Sequence, residues 1–520
     1  MTSVPSGYRH VNPWIVAIAV MFGTFMEVLD TTVVNVSLPH IAGSLSATID
    51  ESTWALTSYL VANAIILPLT GWLANQFGRK RLLLASVAGF TTASFLCGLA
   101  PNLATLVLFR VIQGLTGGAL QPLSQAVLLE AFPPRDRGKA MGFWGLGIVV
   151  APIFGPVLGG WLTDSYSWRW VFYVNIPVGI ASLVLTTLFV FDPPYIGRRS
   201  QVVDWWGIGM LALGVGALQI LLDTGQEEDW FASSAMRGLA IAAAIGIVAF
   251  VIRELGTPHP VVDLRVFRSR TYATGVFLMT TLGFVLYGSL VLLPILLQTL
   301  LGYPALQAGI AMAPRGIGSF IAMPLVGAFL MRVGPRKFLG TGLVGGGLTL
   351  VWLGRLDLSA GYWDVFWPQF FQGMCLALLF VPLTTITMDP IPREAMGNAT
   401  SMFNLMRNIG GSMGIATTTT LLARRQQSLT STLGAHISLY DPATRATLDS
   451  LRAGFVARGA DVATAWHKAE AALWGTLERQ ATMLSFVQIF RLLGLVFLVM
   501  LPLVLLLENP KHAPAPAAAH

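Results

Sequence analysis

The sequence predicts an all-α integral membrane protein of about fourteen spanning helices, built as two six-helix bundles with two further helices inserted between them. Composition, the length of the apolar runs and an internal duplication carry that prediction. Of 520 residues, 54% are hydrophobic and 11% charged, against the roughly 25% charge of soluble domains. The mean hydropathy is +0.68, and a soluble surface of that area could not be kept hydrated with so few charges. Soluble-enzyme, nucleic-acid-binding and disulfide-scaffold classes are thereby excluded. Cys97 and Cys375 both lie in apolar runs and imply no disulfide framework. The net charge of +7 reads as topological, because basic residues of membrane proteins collect in cytoplasmic loops.

An apolar run of about 20 residues crosses a bilayer as a helix. Such runs lie near 14–36, 53–74, 82–100, 104–126, 139–162, 170–191, 204–223, 237–255, 271–299, 307–331, 338–354, 365–388, 398–422 and 483–507. The first follows a weakly charged start at Arg9 and contains Glu27 and Asp30, too long and too acidic for a signal-peptide core. With the N-terminus cytoplasmic, the inner loops and tails hold Arg9, Arg79, Lys80, Arg81, Arg135, Arg137, Lys139, Arg198, Arg199, Arg253, Arg265, Arg268, Arg270, Arg332, Arg336, Lys337, Arg393 and Lys511. The short outer loops hold only Arg169, Arg237 and Arg355. That asymmetry places both termini in the cytoplasm and the protein, multi-pass, in the cytoplasmic (inner) membrane. The long connector 423–482 then lies outside, since long segments translocate largely regardless of charge.

At an offset of 256, Gly71, Gly78, Lys80, Arg81 and Leu83 match Gly327, Gly334, Arg336, Lys337 and Leu339. At an offset of 259, Gln113, Gly114 and Gly138 match Gln372, Gly373 and Gly397. Both copies of the first motif fall in inner loops, so the repeats are parallel. The offset leaves room for two extra spans, which divides the chain into an N-terminal bundle (1–195), two inserted helices (196–262) and a C-terminal bundle (263–520).

The stretch from Gly71 to Arg81 resembles the loop signature of the major facilitator superfamily, Gly-x-Leu-Ala-Asp-Arg-x-Gly-Arg-Lys, with Asn75 for the usual Asp and Gln76 for the usual Arg. Its glycines, Gly71 and Gly78, read as turn formers, and Arg79 and Lys80 as half of a charge latch lacking its acid, or as a topology anchor. Residues 151–160 are similar to the antiporter signature Gly-x-x-x-Gly-Pro-x-x-Gly-Gly, with Ala151 for its first Gly. There Gly155, Gly159 and Gly160 permit close helix approach, and Pro156 a kink that serves as a pivot. Leu29 to Pro39, Leu222-Asp223 to Asp229-Trp230-Phe231, Pro260 to Leu264, and Trp367-Pro368-Gln369-Phe370 to Pro382-Leu383-Thr384-Thr385 narrow the resemblance to the EmrB-like drug:proton antiporters with fourteen spans. That resemblance implies proton-driven efflux of hydrophobic drugs and uncouplers, in company with a membrane-fusion adaptor and an outer-membrane channel.

The residues point to the same chemistry independently. Asp30 lies halfway along the first span, with Glu27 one turn away on the same face. A charge at that depth costs a few kcal/mol or more and marks an ion or proton path. Arg110 in the fourth span is the natural counter-ion, so Glu27 and Asp30 are expected to bind a proton as a pair and release it when Arg110 or substrate competes; a permanent structural ion pair is the alternative. Arg110 matches Gln369 in the second half, which places proton handling in the first half. Arg315 and Arg407, also in apolar runs, suit anionic substrate groups or broken helix ends near Pro314 and Gly410, or snorkel to an interface. Arg491 reads as snorkelling. Asn35, Gln113, Tyr287, Gln298 and Asn404 are candidates for a large apolar cavity with scattered polar groups, facing hydrophobic small molecules.

Gly410-Gly411-Ser412-Met413-Gly414 matches the nucleophile-elbow pattern, but in a spanning helix it reads as packing. No phosphate-binding loop and no metal-ligand spacing is present in the sequence. The expectation is therefore a non-enzyme with no cofactor or metal, driven by the proton gradient, in contact with membrane lipid and not nucleic acid. A proton-coupled importer, or a membrane receptor or scaffold without transport, are the rival readings. The outer connector is expected either to dock the adaptor or to act as a passive cap.

Overall fold

Several helices begin where the sequence supplies a cap. Asn12 and Pro13 open the first, Thr48 and Glu51 form a reciprocal capping box at the second, and Asn102, Asp204, Ser269, Asp441 and Asp461 accept backbone N–H bonds at later starts. In the computed structural model, residues 12–192 and 203–508 are described. Arg9, Arg198, Arg199 and Lys511 lie outside them.

The first half comprises α1 (Pro13–Ser44), α2 (Ile49–Phe77), α3 (Arg79–Leu99), α4 (Leu103–Gly117), α5 (Leu120–Ala131), α6 (Arg137–Ser165), α7 (Trp170–Tyr173) and α8 (Asn175–Phe189). Then come α9 (Trp205–Thr224) and α10 (Ser234–Gly256). The second half comprises α11 (Arg270–Ile295), α12 (Ala305–Val333), α13 (Pro335–Leu353), α14 (Tyr362–Met388), α15 (Met396–Gly434), α16 (Pro442–Ala457) and α17 (Val462–Val499). No strand occurs among the described residues. Twelve helices there are long and apolar enough to cross a membrane, α4–α5 and α7–α8 each counting as one. The runs expected near 338–354 and 398–422 coincide with α13 and α15, which fall outside those twelve. Arg336, Lys337 and five glycines dilute α13; Asn404, Arg407, Asn408 and four consecutive threonines, 417–420, dilute α15.

Within the first half α1 packs on α6 and α8, and α4 on α2 and α3; within the second α11 packs on α15, α12 on α14, and α13 on α14 and α17. The halves meet along α2–α15 and α6–α12. Gly78 and Gly334, mates at the 256 offset, both take left-handed φ, +88° and +93°, where a side chain would be strained. The duplicated loops thus share a conformation as well as a sequence. Gly71, expected in the turn, lies instead within α2, because the helix continues to Phe77 and only Gly78 reverses the chain.

The long connector is largely helical: α15 and α17 run on past their apolar stretches, and α16 packs on α17. The inserted hairpin α9–α10 lies against the seam between halves, touching both α2 and α15. Gly216 of α9 faces Val61 and Ile65 of α2, while Gln219 donates to Ser412 Oγ at 2.8 Å and Trp230 Nε1 to Thr420 Oγ1 at 2.9 Å, both on α15.

At the hairpin's base Arg253 bonds Asp204 through both Nε (3.0 Å) and Nη2 (3.2 Å). The Arg253 hydrogen bond holds the Asp204 carboxyl below its ordinary range. A depressed carboxylate contributes stability above its unfolded pKa and loses it as pH falls through the folded value. Acid, not alkali, is therefore expected to loosen this base. Protection from hydrogen exchange over 203–208, taken relative to the intrinsic rate at each pH, should fall between about pH 6 and about pH 3, and equal protection at both would show that the pair holds nothing.

Candidate functional site

Asp30, at the middle of α1, is fully buried, as is Arg110 of α4. Arg110 Nη1 donates to Asp30 Oδ2 at 2.6 Å, and Oδ1 accepts from Gln113 Nε2 at 3.0 Å and Asn175 Nδ2 at 2.7 Å. The guanidinium is itself fixed: Nε donates to Ala55 O of α2 at 2.7 Å, Nη1 donates to Gln113 Oε1 at 2.7 Å, and the carbon lies 4.3 Å from the Tyr59 ring centre. Asn175 opens α8, right after the break from α7, and reaches Ser94 of α3 at 3.0 Å as well. Five helices thus contribute to the network around Asp30, and two of them, α4 and α8, bond its carboxylate directly. Burying the two charges is expensive, and this many hydrogen bonds in good geometry is what offsets the cost.

Glu27 does not share that cluster. Its Oε1 accepts from Asn63 Nδ2 at 2.9 Å, and Gln121 and Arg407 also face it. Asn63 in turn stands 3.5 Å from the Tyr59 hydroxyl, so Tyr59 lies between the two acids. The expected carboxylate pair is therefore two separate networks: Asp30 faces into the first half, and Glu27 faces the seam.

Across that seam α5 and α15 are joined by a polar row. Arg407 donates to Gln121 Oε1, Asn404 Nδ2 to Gln125 Oε1 at 2.6 Å, and Thr400 Oγ1 to Pro122 O at 3.2 Å. Glycines complete the closure. A Cβ on Gly71 would lie 2.6 Å from Asn398 N and 2.8 Å from Gly397 C; one on Gly327 would lie 2.7 Å from Gly138 O. These four glycines are the offset mates themselves, and the contacts Gly71–Gly397 and Gly327–Gly138 are related by the duplication.

Arg79 finds an acid that its own loop lacks. Arg79 pairs with Glu130 at the end of α5, both buried. Asp192, just beyond α8, accepts from Lys80 N at 2.8 Å, while Lys80 Nζ donates to Thr187 O at 2.7 Å. Neither acid is near the basic residues in sequence, so the Asn75 and Gln76 departures hid the pairing. In α6, Gly155 and Gly159 face Thr32 and Val33 of α1, Pro156 is built into the helix, and Gly160 faces open space.

Gln113, expected on the substrate surface, sits against Asp30 instead. Asn35 and Gln298 are exposed and join neither cluster, and Tyr287 is half-buried against Gly411. Arg315 and Arg407 are buried on helices that run unbroken through Pro314 and Gly410, so neither caps a broken end. Arg491 is exposed and donates to Gly354 O at 2.9 Å. Gly410 and Gly414 press on the backbone of Thr280 and Phe284 of α11, which is packing and no nucleophile elbow.

The Major Facilitator Superfamily description matches residues 20–415. The chain belongs to the major facilitator superfamily. As a superfamily member it is a multi-pass membrane transporter and not an enzyme. It is EmrB-like: it is 42% identical to the multidrug export protein EmrB of Haemophilus influenzae, over 82% of this chain and 84% of that one. It is 38% identical to the fatty acid resistance protein FarB of Neisseria gonorrhoeae and 37% identical to EmrB of Escherichia coli K12, over 96% of both chains in each case. The human organic anion transporter MFSD10 (TETRAN) shares the fold, with a TM-score of 0.62 at 13% identity over 95% of this chain and 99% of that one.

Proposed function

We propose that this transporter exports hydrophobic or amphiphilic small molecules in exchange for protons across the cytoplasmic membrane, with both termini inside. It would serve as the pump of a tripartite exporter with a membrane-fusion adaptor and an outer-membrane channel. The observation that carries the proton-coupled part is the Asp30–Arg110 pair, a buried carboxylate whose charge is balanced by a single cation. In the proposed cycle substrate or a change of conformer competes with Asp30 for Arg110, and a charge buried at that depth marks the proton path. Glu27, at the seam beside Gln121 and Arg407, is placed to sense the approach of the two halves.

Similarity to two EmrB multidrug exporters and to FarB supports efflux of apolar cargo. The basic loops around Arg79, Lys80, Arg336 and Lys337 assign the glycine crossings to the cytoplasmic end, so this conformer is closed towards the cytoplasm. Arg315, Arg407, Asn404, Tyr287, Asn35 and Gln298 are assigned to the substrate path. The α15–α16–α17 projection at the opposite end is the surface offered to an adaptor.

The test is reconstitution in proteoliposomes holding a pH dye. Addition of hydrophobic drugs and weak acids is expected to drive protons opposite to the substrate. Protons moving with the substrate would establish import instead, and no flux with any compound would favour a receptor or scaffold.

A further inference from the structure

The offset of 259 that pairs Gln113 with Gln372 also pairs Asp30 with Ser289 and Arg110 with Gln369. The offset of 256 that pairs Gly71 with Gly327 pairs Tyr59 with Arg315. The fold gathers the second set as it gathers the first. Arg315 Nη2 donates to Gln372 Oε1 at 2.6 Å and to Ser289 Oγ at 3.2 Å, and Gln369 Nε2 donates to Gln372 Oε1 at 3.2 Å. Backbone packing repeats too: Gly114 rests on the Tyr59 carbonyl and Gly373 on the Arg315 carbonyl.

What differs is the charge. In the first half a cation on α4 meets an acid on α1. In the second the cation sits one helix over, on α12 where the first half has Tyr59, and serine replaces the acid. Arg315 is only 4% exposed, and its Nε and Nη1 find no acceptor among the described residues. No carboxylate there pairs with it. A buried guanidinium without a counter-charge is costly. Beside it lies a cavity with room for about one water, lined by Arg315, Gln372, Leu282, Val285, Leu376 and Phe497.

We propose that Arg315 and Gln372, which line that cavity, form an anion site beside Ser289, the second-half counterpart of the Asp30 cluster, with the anion supplying the missing negative charge. The cavity admits a monoatomic anion of chloride's kind in this conformer, not an organic cargo. This refines the substrate-path role assigned to Arg315 and rests on that reading for its place in the transport cycle.

The experiment uses the full chain in detergent. Thermal unfolding midpoints are compared in sodium chloride, sodium benzoate and sodium gluconate at equal ionic strength. Wild type is expected to rise by at least about 2 °C in chloride over gluconate, as mass action requires for a ligand of the folded state. Ser289→Asp supplies the carboxylate internally; its midpoint should be higher in gluconate and unresponsive to chloride, and Arg315→Gln should also lose the response. Equal wild-type midpoints in all three salts, or a Ser289→Asp protein that still responds to chloride, overturn the proposal. A rise with benzoate alone overturns the size selection and gives the guanidinium to an organic carboxylate. Because binding is read without transport, a chloride response in a protein that moves no substrate would fail the transport reading while upholding the anion site.

Discussion

Asp30→Asn is expected to abolish substrate-driven proton movement in proteoliposomes while leaving the protein inserted. Asparagine keeps the shape and can still accept from Gln113 and Asn175, but it removes the charge that Arg110 balances. Arg110 is then left buried and unpaired, a loss that costs about 3–5 kcal/mol for buried pairs. The thermal midpoint in detergent should fall accordingly. The double variant Asp30→Asn/Arg110→Gln removes both charges and should recover much of that stability without recovering coupling. That split separates a proton carrier from a structural pair, for which stability and flux would return together. Full coupling in the single variant would remove Asp30 from the proton path.

Gly71→Val and Gly327→Val should each bar the conformer described here. The added carbon would meet backbone on the far side of the seam, Asn398 N at 2.6 Å and Gly138 O at 2.7 Å, and backbone cannot rotate out of the way as a side chain can. Parting the halves relieves the contact, so both variants are expected to fold. Transport should drop by at least about tenfold, which needs only about 1.4 kcal/mol of bias against one state. The direct readout is Thr400→Cys, a position buried in the α5–α15 row. Its labelling by a membrane-impermeant maleimide should rise when Gly71→Val is added, and should stay low with Gly238→Val, whose Cβ meets nothing within 4 Å. Unchanged labelling would show that the crossings are not what holds the halves together.

Asp30 and Arg110 were readable from sequence because a charge inside an apolar run stands out against its neighbours. Asn175 was not, since an asparagine beside a helix break looks like an ordinary cap until folding turns it onto Asp30. Glu130 and Asp192 escaped for a different reason. Each lies at the end of a later helix, and only the folded chain brings them to Arg79 and Lys80. The spans and the duplication were legible because apolar run length and repeated spacing are local signals. The crosswise glycine contacts were not, although all four glycines are offset mates, because an offset says which residues correspond and not which ones touch. Arg315 stands out in the sequence for the same reason as Arg110, but its correspondence to Arg110 does not, because the charge lies on α12 and not on the matching helix α14.

The inserted hairpin gives the molecule a sidedness within the plane of the membrane. Of the two grooves where its halves meet, α9 roofs the one between α2 and α15. Among the described residues the hairpin packs on α2 and α15 and not along α6–α12, and α6 and α12 expose Phe154, Val157, Trp161, Ile317, Phe320 and Leu325. The two seams therefore show lipid different faces, one covered by the hairpin and the other a direct helix crossing with apolar side chains outside it. A molecule approaching from lipid on the α2–α15 side would meet the two extra helices first, a blind drawn across that one window.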